Sequence, residues 1–305
     1  MSDRASVERS RLGTVEALAA ACLWGSSGVF AVNLFRLGVP PGTVALVRPL
    51  IGATLLVLLF LLANPALLRT TRRGLLIIGL VGGAAVGIFQ VAYQSSIDAA
   101  GVPRTVALLY LAPAFVVAAA GPLLGEWPTP GRLALIALTL VGVWLTLLGS
   151  DPGESRFGAS GIGWGLVASV SYAAYTLFGR YSTPRFGSVP TVVYSTLGAC
   201  ALLVAVLPAS LDALALPSTG RAWLLLVAFG AVTIAGAQLL FFDALGRIQA
   251  STASVVTTAE PVVAALLATT LLGQGLAPTG WLGIALVVAG VAGVGLTTAR
   301  RSTTV

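Results

Sequence analysis

Glu260 is the residue best placed to do chemistry. It lies about ten residues into an apolar run that begins near residue 249. At 1.5 Å per residue that is roughly 15 Å deep, close to the midplane of a hydrocarbon core about 30 Å thick. Insertion of a carboxylate there costs about 2.5–3.5 kcal/mol, and such groups mark proton, ion or substrate paths. A carboxylate in this setting can carry a proton or pair with a cationic substrate. The plainer alternative is a protonated side chain bonded to a neighbouring helix. Pro261 follows immediately; its ring removes a backbone donor and leaves the carbonyl of Thr257 unbonded on the same helix face. Pro113 does the same to Leu109 elsewhere in the chain. Paired breaks of this kind point to a midplane site, or to packing kinks satisfied by neighbouring helices.

Around this carboxylate the sequence offers polar and aromatic groups inside apolar runs. Gln90, Tyr93 and Gln94 share one helix face by their spacing. Gln238 stands in a second apolar run with Phe241 and Phe242 after it. These amides need a cavity or another helix, because lipid cannot satisfy them. Trp24, Tyr172, Tyr175 and Tyr110 could form an aromatic wall for a flat or cationic ligand, or could simply pack helices. Arg48 lies near enough to a span end to snorkel or to pair structurally, with binding of a substrate carboxylate or partnering of Glu260 as alternatives. Glu16, Asp98 and Asp243 read as solvated or pairing charges at span ends. Trp127, Trp223 and Trp281 read as interfacial anchors.

Several chemistries are excluded outright. All 17 basic residues are Arg, and the chain contains no Lys and no His. There is therefore no phosphate-loop lysine, no Schiff base, no histidine metal site and no imidazole relay. No cofactor or metal is expected. The two cysteines, Cys22 and Cys200, sit in apolar runs and are not a disulfide framework.

The elements that must hold these residues are membrane helices. Of 305 residues, 57% are hydrophobic and 9% charged, against about 25% charged in soluble domains. The apolar residues form continuous runs near the length of a helical span, where a barrel would show alternation. Spans fall at about 13–35, 42–64, 74–97, 103–124, 132–149, 159–181, 190–208, 221–243, 249–272 and 280–299. Residues 1–12 read as an uncleaved polar tail rather than a signal peptide, and 300–305 as a C-terminal tail. With the N-terminus inside, twelve arginines fall on cytoplasmic segments and four on outer loops. The +7 net charge is thus an orientation signal rather than a nucleic-acid one.

The chain also repeats itself at an offset of 148 residues. Trp24 matches Tyr172, Phe30 matches Phe178, Gly82 matches Gly230, Gln90 matches Gln238 and Pro113 matches Pro261. Leu123-Leu124-Gly125 returns as Leu271-Leu272-Gly273, Pro130 as Pro278 and Gly142 as Gly290. The first repeat spans 13–150, a Pro/Gly/Ser-bearing linker runs from Asp151 to Ser160, and the second repeat spans 161–299. Five spans per repeat is an odd number, so the second copy enters the membrane in the opposite direction. The expected fold class is an all-α membrane protein of ten transmembrane helices in two inverted five-helix repeats, an arrangement that lets one site face either side in turn. Gly79, Gly83 and Gly87, and Gly161 with Gly165, mark close helix approaches.

Leu23-Trp24-Gly25-Ser26-Ser27, Ala112-Pro113, Leu124-Gly125-Glu126, Glu260-Pro261 and Leu272-Gly273-Gln274 stand in this order along the chain. With them the sequence resembles the EamA-type ten-helix transporters of the drug/metabolite transporter superfamily. The resemblance covers essentially the whole chain outside the termini, and Gln274 departs from the Glu often found there. It implies a cytoplasmic-membrane carrier of small metabolites and a helix-end role for Glu126. The expected function is secondary transport of an amino acid-like or drug-like compound by alternating access, with export by proton exchange through Glu260. A passive facilitator is the first alternative, and a membrane-embedded enzyme or accessory protein the remote one. The expected partners are the bilayer, a small-molecule substrate and H+. Nucleic acid is not a partner. A monomer is a sufficient unit because the pseudo-dimer is built in; a homodimer is the alternative.

Overall fold

Leu62, Leu148 and Leu224 are 87%, 73% and 70% exposed, while Gln90 and Gln238 are only 3% and 4% exposed. This reverses the pattern of a water-soluble protein, and it follows when the surrounding medium is lipid. The computed structural model describes residues 2–100, 105, 108–149, 159–206, 215–271 and 277–301. The linker residues 151–158, Arg104 and Gln274 lie outside them, as do the side chains of Gln94 and Asp98.

Among the described residues every element is helical. The ten spans are unequal in construction. Span 1 is two helices, Ser2–Gly25 and Ser27–Arg36, meeting at Ser26 within the Trp-Gly-Ser-Ser motif. Its first helix starts at Ser2, so the polar stretch expected as a tail continues directly into the span. Span 2 is Pro41–Ala63. Span 3 joins Arg72–Ile77 through a π-helical turn, Ile78–Gly82, to Gly83–Ala100. Span 4 contains Ala112–Leu124, and span 5 is Pro130–Leu148. Spans 6 and 7 are Ala159–Phe186 and Ser188–Val206. Span 8 joins Gly220–Gly230 through a longer π stretch, Ala231–Gln238, to Leu239–Arg247. Span 9 is broken into Ala250–Thr257 and Glu260–Leu271, and span 10 is Pro278–Arg301. Among the described residues six helical stretches are long and apolar enough to cross a membrane by length and composition.

The 148-residue repeat is visible in the details that start and join helices. Thr71 Oγ1 accepts the N–H of Gly74 at 3.0 Å at the start of span 3, and Thr219 Oγ1 accepts that of Ala222 at 3.3 Å at the start of span 8. These are matched N-caps on matched spans. Gly82 of span 3 presses against Ser195 of span 7, and its mate Gly230 of span 8 presses against Arg48 and Gly52 of span 2. Gly142 of span 5 abuts Gly283 and Val287 of span 10, while its mate Gly290 abuts Leu135 of span 5. Small residues at these crossings let the backbones approach where lipid supplies no hydrophobic drive. Each half therefore packs through the other, and the fold is ten transmembrane helices in two inverted five-helix repeats. Gly83 lies against Gly198 and Ala199, so the glycine stripe of span 3 packs within the chain.

Candidate functional site

The two prolines do more than kink their helices. In span 9 the helix stops at Thr257, and Thr258 and Ala259 form a turn closed by Thr258 N–H to Val255 O at 3.1 Å and Ala259 N–H to Val256 O at 3.1 Å. The helix then restarts at Glu260, with Pro261 in its first turn, where a missing N–H costs nothing. Span 4 repeats the device: Leu111 N–H bonds Leu108 O at 3.1 Å, and a helix restarts at Ala112 with Pro113 in its first turn. The two breaks differ in one respect. Ser169 of span 6 gives its hydroxyl to the Leu109 carbonyl at 3.3 Å. The repeat mate of Ser169 is Ala21, which has no hydroxyl to offer Thr257.

Between the breaks lies a small cavity with room for about one water molecule. Leu109, Tyr110, Pro113 and Tyr172 line one side, and Ser254, Thr257, Thr258 and Glu260 the other. The Tyr110 and Tyr172 side chains line this cavity together with Glu260 and Thr257. Gly25 lets span 1 close on this spot: a Cβ there would stand 3.0 Å from the Glu260 carbonyl oxygen and 2.7 Å from Val263. Glu260, Thr257, Tyr110, Tyr172, Pro113 and Pro261 are thus brought to one place.

Trp24, Phe89, Tyr93, Tyr172, Tyr175, Phe241 and Phe242 form one continuous cluster. Trp24 meets Phe241 and Tyr172 edge-on, with ring centroids 5.2 and 6.4 Å apart. Tyr175 stacks on Phe241 at 5.9 Å and meets Phe242 edge-on at 4.9 Å. Phe89 links Tyr93 at 5.4 Å to Tyr172 at 5.7 Å. These separations are in the range of favourable aromatic pairs. Phe89, Phe241 and Phe242 carry no polar signal, and only the repeat register with Tyr93 and Gln94 hinted at the latter two. The Trp24 Nε1–H donates to the Thr233 carbonyl at 2.9 Å. Thr233 sits in the π stretch of span 8, where the wider turn disturbs the ordinary helical pairing.

Arg48 is held in a structural pairing. It is half-buried, its Nη2 donates to Gln90 Oε1 at 3.3 Å, and its guanidinium carbon lies 4.7 Å from the centroid of the Phe229 ring. No carboxylate among the described residues lies within 4.0 Å of it, so it is not in an ion pair with Glu260, although it is near enough for its charge to be felt there. Gln90 and Gln238 therefore have different tasks. Gln90 holds the arginine, while Gln238 is buried with its Oε1 without a partner.

A model of the EamA-like transporter family matches residues 11–148 and again 159–296. The chain belongs to the EamA-like transporter family. Its relatives include the uncharacterized inner membrane transporter YicL of Salmonella typhimurium, 26% identical over 96% of this chain and 98% of that protein. The uncharacterized transporter YwfM of Bacillus subtilis is 27% identical over 90% of each chain. One solved crystal structure superposes with a TM-score of 0.80 at 22% identity, covering 95% of this chain and 98% of its own, and so shares the fold. This EamA-like chain is a multi-pass membrane transporter.

In this EamA-like chain the helix-end role expected for Glu126 is a junction of three spans. Gly125, at φ +71°, ends span 4 in the left-handed conformation, with its N–H bonded to Gly121 O at 2.9 Å and the Glu126 N–H to Ala120 O at 3.1 Å. That turn points Glu126 back into the bundle. Its Oε1 accepts from Arg180 Nε of span 6 at 2.7 Å, and its Oε2 accepts from the Ala250 N–H at the start of span 9 at 2.9 Å. Arg180 Nη1 also donates to the Leu245 carbonyl at the end of span 8 at 2.9 Å. Beside this junction Arg132 reaches Gln249 and Ser251. Arg247 pairs with Glu16 of span 1 at 2.9 Å and lies 3.8 Å from Asp243. The repeat gives no charged equivalent: Glu126 matches Gln274, and Arg180 matches Val32.

Proposed function

We propose that this protein is a secondary active transporter that exports a small amphipathic metabolite, amino acid-like or drug-like, across the cytoplasmic membrane in exchange for protons. The observation that carries the reading is Glu260. It is a carboxylate at the restart of a broken span, in a cavity between the two matched proline breaks that Tyr110 also lines. Half-helix ends at a midplane repeat interface suit a site for substrate and coupling ion. The aromatic cluster of Trp24, Tyr93, Tyr172 and Tyr175 supplies a wall for a flat or cationic cargo. Arg48 is the complementary cation, and Gln90 and Gln238 are the polar lining.

The matched crossings of spans 3 and 7 and of spans 2 and 8 are the surfaces on which one repeat rocks against the other. Glu126, Arg180 and Ala250 close one end of the bundle, and the arginine bias makes that end, with both termini, cytoplasmic. A single chain is the working unit. The family and the names of the relatives point away from enzymatic chemistry.

The test is flux in proteoliposomes, with candidate amino acids and cationic dyes offered with and without a pH gradient, wild type beside Glu260→Gln. Flux that follows the gradient and is lost in the variant supports proton exchange through Glu260. Flux indifferent to the gradient makes the protein a passive facilitator, and a variant that keeps gradient-driven flux removes Glu260 from the mechanism.

A further inference from the structure

We infer that the break in span 9 is a sodium site: the ionised form of Glu260, the Thr257 carbonyl and the Ser254 hydroxyl hold a small monovalent cation in the cavity between the two proline breaks. The inference rests on Glu260 as the ion-carrying group and adds a second ion to its proton.

The donors are hard oxygens already turned to one space. Ser254 is 1% exposed, lines the cavity, and its hydroxyl has no hydrogen-bond partner. A buried hydroxyl left unbonded costs about 1–3 kcal/mol, so a ligand for it is expected. Pro261 denies the Thr257 carbonyl its helical donor. Unwound carbonyls and half-helix C-terminal ends are the groups that coordinate sodium in discontinuous membrane helices. Thr257 ends the helix Ala250–Thr257, whose C-terminus adds negative potential. The matched break in span 4 offers less, because Ser169 already donates to the Leu109 carbonyl and the repeat mate of Glu260 is Ala112. Tyr110 completes the cavity as a further hydroxyl beside Glu260.

The cavity also restricts which cation fits. Room for about one water excludes the carbon skeleton of an organic amine but admits a dehydrated alkali ion. One carboxylate, with Arg48 near enough to oppose it, is too little negative charge for a divalent ion.

The experiment is thermal unfolding of the purified full-length chain at constant pH and ionic strength. Sodium chloride is titrated against potassium, choline and methylammonium chlorides. The expected result is a saturable rise in Tm with sodium that the other three salts do not produce. Ser254→Ala should weaken the apparent sodium affinity about tenfold, the loss of one oxygen ligand, and Glu260→Gln should abolish the response. If Glu260→Gln does not fold, Ser254→Ala alone decides. A rise of equal size with potassium or choline, a stronger response to methylammonium, no response, or a sodium response untouched in Ser254→Ala overturns the site. Proton-driven flux is measured on the same preparations. Loss of the sodium response with flux still dependent on Glu260 removes this inference alone. A sodium response with flux indifferent to Glu260→Gln removes the proton reading alone.

Discussion

Glu126 accepts the backbone N–H of Ala250 at 2.9 Å, tying the end of span 4 to the start of span 9 across 124 residues of sequence. The same carboxylate accepts from Arg180 at 2.7 Å, and Glu126 is only 8% exposed. Replacement by Gln keeps one acceptor oxygen but turns an NH2 group toward Arg180 or the Ala250 N–H, so one of these two bonds is lost. Glu126→Gln should lower stability by about 1–3 kcal/mol. It should also open the proposed cytoplasmic end. In a background with Cys22→Ser and Cys200→Ser, Ser251→Cys should then label faster with a membrane-impermeant thiol reagent from that side. Unchanged labelling would show that the junction only holds the fold.

The two proline breaks should respond differently to the same substitution. Pro113→Ala restores an N–H for the Leu109 carbonyl, which Ser169 already satisfies, so transport should change less than about twofold. Pro261→Ala offers a donor to the Thr257 carbonyl and allows span 9 to close across Thr258 and Ala259. Transport should fall by about tenfold, a barrier change near 1.4 kcal/mol, with stability unchanged or raised. Flux and thermal unfolding of both variants check this, and equal effects would deny the asymmetry.

Arg48 depends on Gln90 and on the Phe229 ring for its place inside the bundle. Gln90→Leu removes its hydrogen-bond acceptor and should destabilise the protein by about 1–3 kcal/mol. Combining Gln90→Leu with Arg48→Leu should recover part of that loss. A double-mutant cycle in a denaturation assay then gives a coupling of about 0.5–3 kcal/mol, and strict additivity would mean the two side chains act apart.

Trp24→Phe keeps the ring but removes the indole N–H that binds the Thr233 carbonyl at 2.9 Å. The expected cost is about 0.5–1.5 kcal/mol, read as a lower unfolding temperature. Hydrogen exchange around the π stretch Ala231–Gln238 should rise with it.

Much of this site was legible before any coordinates. The 148-residue register paired Pro113 with Pro261, and depth in an apolar run singled out Glu260. What one-dimensional reasoning missed were side chains whose role depends on a distant neighbour. Ser169 is unremarkable until span 6 places it against the Leu109 carbonyl, and Ser254 until its hydroxyl is seen to lack a partner. For Arg48 depth along one helix leaves snorkelling and structural pairing open, because it does not reveal that Gln90 and Phe229 stand beside it.

The sequence by itself determined that this chain is a membrane protein of ten helices in two inverted copies. Hydropathy, the odd number of spans per copy and the lack of Lys and His are properties of the chain alone. Only the tertiary structure decided that the prolines stand where helices restart, that the breaks meet at one cavity, and that Ser169 bonds the carbonyl at the span 4 break. Those outcomes depend on which hydroxyl, carbonyl or glycine of one repeat is opposed by the other, and lipid leaves no water to satisfy a group that the partner repeat does not.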